Sequence, residues 1–157
     1  MDATRSFQEQ MPGNHCWGCG PDNPDGLQLQ SRWDGDDAIA IWQPRPEHMA
    51  GPRHILFGGI IAALIDCHSI CTAYAAAFRA TGQPIGSDPS IWYATASLQV
   101  SYLRPTPLGT PLTIRARVVE TAGRRTNLTC SLYANGEECA RGEVIAVRVP
   151  SAWLEVA

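Results

Sequence analysis

Hydrophobic and polar residues change rhythm twice along the chain. From Thr95 onward they alternate with the two-residue period of strands: Ala96, Leu98, Val100 and Tyr102, then Leu112, Ile114, Ala116 and Val118. After an Ala122-Gly123 turn, Leu128, Cys130, Leu132 and Tyr133 form a third run, and Asn135-Gly136 is a strong hairpin turn before a last strand, Ala140 to Val149. Upstream, Leu27, Leu29 and Ser31 alternate with Gln28, Gln30 and Arg32, and the DGDD turn at 34–37 returns the chain through Ala38 to Trp42 as a hairpin. Between these blocks lies the one long helix, opened by Gly58-Gly59, running to Phe78 or Arg79 and closed by Gly82 and Pro84. It is apolar on nearly every side, as a helix wrapped by other structure is. The order β-β-α-β-β-β-β predicts an α+β fold in which a hairpin and a four-strand meander bury one helix. Residues 1–26 are rich in turn-forming Gly, Pro, Asn and Asp, three prolines keep 44–57 a loop, and 81–93 is a long connection.

A length of 157 residues suits a single domain over 1–157. Fifteen acids against twelve bases leave a net charge of -3 and no polybasic stripe, which disfavours nucleic acid and anionic membranes as partners. Every base is Arg, so Schiff-base and phosphate-loop lysine chemistry is excluded. The most apolar stretch carries Asp66 and His68 near its middle, against a membrane span. The first residues lack the pattern of a signal peptide, so a cytoplasmic location with reduced cysteines is expected.

Asp66 is the sharpest chemical signal. A carboxylate two turns into an apolar helix is costly unless paired, and it shares a stripe with Gly59, Ala62, Ala63, Ile70 and Ala73, small residues that leave room for a ligand. It is either a partner-satisfied structural acid or a general base or nucleophile tuned by burial. Gly58 and Gly59 place unpaired N–H groups at the positive end of the helix dipole, where a carbonyl oxygen can approach without meeting a side chain. The same pair also suits a helix entry that needs backbone freedom. Gly59 and Asp66 are seven residues apart, about 10 Å of helix rise. One carbonyl cannot touch both on one helix, so either they serve different ends of a substrate or a second subunit supplies one of them.

The runs GGIIAALID (Gly58 to Asp66), TASLQVSYLRPTPLG (Thr95 to Gly109) and GEECARGEVIAVRV, with the leader NHCWGCGPDNPDGLQL, resemble the hotdog-fold acyl-CoA thioesterases of the phenylacetate-pathway type. The resemblance implies a curved antiparallel sheet wrapped round one helix, and a homodimer or dimer of dimers with active sites at the subunit interface. It also implies hydrolysis of an acyl-CoA without metal or other cofactor. Carried over by position, Asp66 matches the catalytic carboxylate, Gly59 the glycine whose N–H polarises the thioester carbonyl, and Thr95 the residue that helps hold the attacking water. Arg104, Arg124 and Arg125 are candidates for the coenzyme A phosphates. The chain departs from the family at Phe57, beside Gly58 in the expected substrate contact, where His or Asn is common; an aromatic ring cannot donate that hydrogen bond. His54, three residues upstream, is a candidate substitute. The departure keeps a non-catalytic acyl-thioester binding protein in view as the alternative.

Three further features read as structural. His68 points about 200° away from Asp66 on the helix, toward the sheet. Cys16-Trp17-Gly18-Cys19 with His15 offers at most three metal ligands, one fewer than a structural zinc takes, and reads as packing of the leader. Trp17, Trp33, Trp42 and Trp92 read as core or interface rather than as the lining of an acyl pocket.

Overall fold

A computed structural model of the chain describes residues 4–155. Six strands form one antiparallel sheet: β1 (Ser31–Asp34), β2 (Asp37–Trp42), β3 (Tyr93–Tyr102), β4 (Leu112–Ala122), β5 (Arg125–Ala134) and β6 (Glu137–Arg148). Their order across the sheet is β1-β2-β4-β5-β6-β3. The single long helix, α1 (Gly58–Thr81), lies against one face. This is the hotdog arrangement of one helix held in a curved sheet.

The inner face of the sheet is shaped for that helix. One row of paired positions runs Val100, Gly142, Cys130, Ala116, Ala38 across five strands. Four of those five residues are Gly, Cys or Ala, so the row forms a trough between ridges of larger side chains. α1 seats Ile65 in it: a Cβ on Gly142 would lie 2.4 Å from the Ile65 Cγ2. Leu64, Ile65, Tyr74 and Phe78 are buried to the limit along the helix. By length and composition alone α1 could cross a membrane, yet 67% of its most apolar window is buried inside the protein, as a core helix requires. Its C-terminus closes on Gly82 in the left-handed region at φ +67°, with the Gln83 N–H donating to the Phe78 carbonyl. Arg79 in the last turn donates to the Gly35 carbonyl and stacks its guanidinium 4.5 Å over Trp33, fastening the helix end to the first hairpin.

His68 is fully buried, and its ring is satisfied at both nitrogens. Nε2 donates to the Ala38 carbonyl at 3.0 Å, and Nδ1 accepts from the Ser31 hydroxyl at 2.8 Å. Ser31 Oγ in turn accepts from Gln8 Nε2, and Gln8 Oε1 accepts the Ser31 N–H. Burial holds the His68 pKa down to about 4. The histidine faces the sheet, as its helical position predicts.

Two local expectations change. The strands after the helix do not form a four-strand meander: β4, β5 and β6 do, but β3 pairs with β6 and stands at the sheet edge. The first strand begins at Ser31 rather than Leu27, because Gln28 adopts φ +53° and breaks the pleat. Leu27 and Leu29 remain buried and instead donate their N–H groups to Trp17 and Gly18 of the leader. The leader, irregular as expected apart from a 3-10 turn at Gln8–Gln10, packs inward through Phe7 and Met11. The Asn135-Gly136 turn forms as the sequence indicates, both residues at positive φ, and β6 starts directly after it at Glu137.

Candidate active site

Asp66 and Thr95 meet. The Thr95 hydroxyl donates to Asp66 Oδ1 at 2.5 Å, joining the middle of α1 to the edge strand β3. A fault in the ladder makes this contact possible. Between Thr95 and Ser97 the β3–β6 register slips by one residue, a β-bulge at Ala96. Thr95 pairs with buried Ala146 and Leu98 with buried Val144, so both stand on the inner face although three residues separate them. Strict alternation would put Ala96 there and turn Thr95 away from the helix.

The pair opens on a recess of about 200 Å³. Ile70, Trp92 and Met11 supply apolar wall, and Cys16, Cys19 and Asn14 of the leader close the side opposite β3. Trp92 lines this recess and also packs on the core, its ring 5.8 Å from that of Tyr74, in keeping with its reading as a core residue. Burial pushes the Asp66 carboxyl above the ordinary carboxylate range; the Thr95 hydrogen bond opposes the rise, and negative charge at Cys19 adds to it. No cationic side chain pairs with Asp66 among the described residues. A half-buried carboxylate with one hydroxyl donor beside an apolar recess is poised to take a proton from water or to attack an electrophile.

The helix entry lies about 10 Å away, two turns toward the N-terminus. Neither the Gly58 nor the Gly59 N–H has an acceptor among the described residues. Phe57 precedes them, half-exposed, with its ring laid against Gly59: a Cβ at that position would stand 2.4 Å from the Phe57 Cε1. Glycine at 59 therefore makes room for the aromatic ring as well as baring an amide. Tyr102, at the far end of β3, donates its hydroxyl to the Gly58 carbonyl at 2.7 Å and fixes the entry to the sheet edge. His54 is exposed in the preceding loop; its carbonyl accepts the Leu108 N–H, and its ring makes no hydrogen bond among the described residues.

The arginines named from sequence do not form one group. Arg124 donates through Nε and Nη2 to the Arg148 carbonyl, and Arg125 donates to Asn127 Oδ1. Arg124 and Arg148 line an open depression on the side where β3 begins. Arg148 pairs with Tyr93, two residues from Thr95. Arg104 lies beyond the opposite end of β3, nine residues or about 30 Å of extended chain from Thr95, in an ion pair with Glu137 at 3.1 Å. A single chain cannot bring Arg104 and Arg124 to one phosphate. Arg148 completes the nearer cluster and carries no signal in the sequence beyond its charge.

The thioesterase superfamily model matches residues 54–140, a span that holds the Gly pair, Asp66 and Thr95. A thioesterase superfamily protein of solved structure from Shewanella loihica PV-4 is 34% identical, covers 88% of this chain and 96% of its own, and superposes with a TM-score of 0.67. This chain belongs to the thioesterase superfamily. More distant structures share the fold. The PaaI protein of the E. coli phenylacetic acid degradation operon is 14% identical over 78% of this chain and 80% of its own, with a TM-score of 0.63. A phenylacetic acid degradation-related protein from Ralstonia eutropha JMP134 is 18% identical over 92% of this chain and 100% of its own, with a TM-score of 0.67. No curated protein matches. The resemblance read from the GGIIAALID run thus holds at the level of family and fold, and membership supports thioester hydrolysis as the general chemistry.

Proposed function

We propose that this thioesterase superfamily member hydrolyses an acyl-CoA to the free acid and coenzyme A, with Asp66 as the catalytic carboxylate. The observation that carries the reading is the Asp66–Thr95 pair at the mouth of an apolar recess, with no cation to neutralise it. In the reaction Asp66 takes a proton from a water that attacks the thioester carbonyl, or attacks that carbonyl itself. Thr95 holds the carboxylate and the water in place. The developing oxyanion needs donors, and the free N–H groups of Gly58 and Gly59 at a helix N-terminus are suited to it.

In this reading the 10 Å between amide and carboxylate is bridged by a second copy of the chain rather than by the two ends of one substrate. β3 offers its outer edge unpaired among the described residues, with Leu98, Tyr102 and Leu103 exposed along it. In this proposal two copies join there about a two-fold axis, bringing the Gly59 amide of one to the Asp66 carboxylate of the other. Arg124, Arg125 and Arg148 then serve the coenzyme A phosphates, with Arg104 of the second copy as a further contact. Phe57 occupies the place of a side-chain donor, so the backbone amides alone polarise the carbonyl.

Release of coenzyme A from short, long and aromatic acyl-CoAs, measured by a thiol reagent against a blank for the chain's own six cysteines, tests the reading. Asp66→Asn should lower kcat by about 10²–10⁴-fold, the usual contribution of a positioned general base. Turnover within a few-fold of the parent removes Asp66 from the mechanism. Acyl-CoA that raises the Tm of the parent without releasing thiol makes the protein a binder instead, the outcome that the ring of Phe57 against Gly59 favours.

A further inference from the structure

The leader loop brings two cysteines to two others that are far away in sequence. Cys16 Sγ lies 3.7 Å from Cys67 Sγ, and Cys19 Sγ lies 3.7 Å from Cys71 Sγ. The sulfurs of Cys16, Cys19 and Cys67 all fall within 4.8 Å of one another. Taken alone, the Cys16–Cys19 motif is one or two ligands short of a metal site. The helical i, i+4 pair Cys67 and Cys71 supplies the missing two, 51 and 52 residues downstream.

Four thiolates around one zinc, with Zn–S bonds of about 2.3 Å, place their sulfurs about 3.8 Å apart along the edges of a tetrahedron. Two sulfurs in plain contact also stand near that distance, so the spacing of one pair decides nothing. The mutual approach of three sulfurs, those of Cys16, Cys19 and Cys67, with Cys71 touching the group through Cys19, does. A pair of disulfides would need each sulfur to close to about 2.05 Å, and all six cysteines are free.

The loop is also built for close approach. A Cβ at Gly18 would lie 2.3 Å from the Cys67 sulfur, so only glycine lets Cys16 and Cys19 straddle the helix. Gly20 donates its N–H to the Cys16 carbonyl at 2.7 Å, and the Asn14 side chain accepts the Cys16 N–H, which together set the turn between the two cysteines. The buried Asn14 amide also points its Nδ2 at Cys19 Sγ, 3.9 Å away, as an outer-shell donor to a metal-bound thiolate would.

We propose that Cys16, Cys19, Cys67 and Cys71 bind one zinc ion, a structural site that fastens the leader to α1 and holds the leader's wall of the recess beside Asp66. Four Zn–S bonds replace the thiol protons, which leave to solvent, with no change of oxidation state; the site then carries a net charge of -2. Cys71, in contact with Cys19, is the corner that must turn to close the tetrahedron. Cys16 and Cys19 lie outside the segment matched by the superfamily model, and Cys67 and Cys71 lie within it.

The test is metal analysis of the full chain, purified with reductant and without chelator, together with Cys16→Ser, Cys67→Ser, Cys71→Ser and, as control, Cys130→Ser. Cys130 is buried on the sheet outside the cluster. Expected are about one zinc per chain in the parent and the control, and at least a tenfold lower occupancy in the three cluster variants. Cobalt(II) added to the metal-free parent should give the thiolate charge-transfer and intense visible bands of a tetrahedral sulfur site, a readout that needs no variant to fold. Three results would each overturn the proposal: no zinc or cobalt uptake by the parent with its thiols counted free, a Cys16–Cys19 or Cys16–Cys67 disulfide found after purification under reductant, or full zinc retention in folded Cys16→Ser.

Discussion

Replacing His68 with glutamine should flatten part of the protein's stability profile at acid pH. The imidazole is fully buried, donates to the Ala38 carbonyl and accepts from Ser31, and is held neutral with a pKa of about 4 against an ordinary 6.5. An unfolded chain protonates this residue as pH falls through 6.5, whereas the folded chain resists until about 4. The unfolded state therefore binds more protons across that window, and stability must fall as pH falls. Above 6.5 the His68 contribution is complete; below 4 it is lost. The interval corresponds to about 3 kcal/mol. At about 2–4 °C per kcal/mol for a chain of this size, that is a fall in Tm of about 6–12 °C between pH 7 and pH 4. Glutamine offers an amide donor for Ala38 and a carbonyl for Ser31 but does not titrate. Other groups of lowered pKa, Glu9 and Glu138 among them, lose stability too as pH falls, but equally in both proteins. Chemical denaturation of parent and His68→Gln at half-unit steps isolates the histidine as the difference between two curves. Curves that stay parallel from pH 7 to pH 4 would refute the reasoning and mean that water or a rearrangement admits the imidazolium.

Thr95→Val removes the one hydrogen bond that holds the Asp66 carboxyl down; the acid limb of the kcat/KM profile should move to higher pH, and an unmoved limb would mean that another group sets it. Gly142→Ala places a methyl 2.4 Å from the Ile65 Cγ2 and should cost about 1–3 kcal/mol in urea unfolding, the usual penalty of overpacking. The three atoms nearest a Cβ at Gly59 all belong to the half-exposed ring of Phe57, so with that ring displaced Gly59→Ala should leave stability within about 0.5 kcal/mol while thioester hydrolysis falls. A loss as large as that of Gly142→Ala would show the ring to be fixed.

Much of the fold is legible in the chain because each element obeys a local rule. The apolar run closed by Gly82 is the helix, and Asn135-Gly136 is a two-residue turn with both residues at positive φ. What was not legible depends on contacts between distant residues. Default neighbour pairing joins β3 to β4, yet β3 crosses to β6, and nothing in residues 95–102 announces it. The bulge at Ala96 shifts the two-residue period, so alternation alone turns Thr95 away from the carboxylate it binds. The cysteine cluster escapes for a similar reason: its two halves obey different periods, one of a loop and one of a helix, and only the leader's path over α1 superimposes them. Arg104 and Arg124 fail to meet because sequence offers charge without position.

Ile65 and Asp66 are adjacent on the same turn, one seated over Gly142 and the other bonded to Thr95. A shim slipped beneath the first must lift the second. The contact between carboxylate and hydroxyl spans 2.5 Å and tolerates a displacement of only a few tenths of an ångström before it weakens. Turnover should therefore register added bulk at Gly142 sooner than melting does, and the floor beneath the helix becomes a remote adjustment screw on the chemistry.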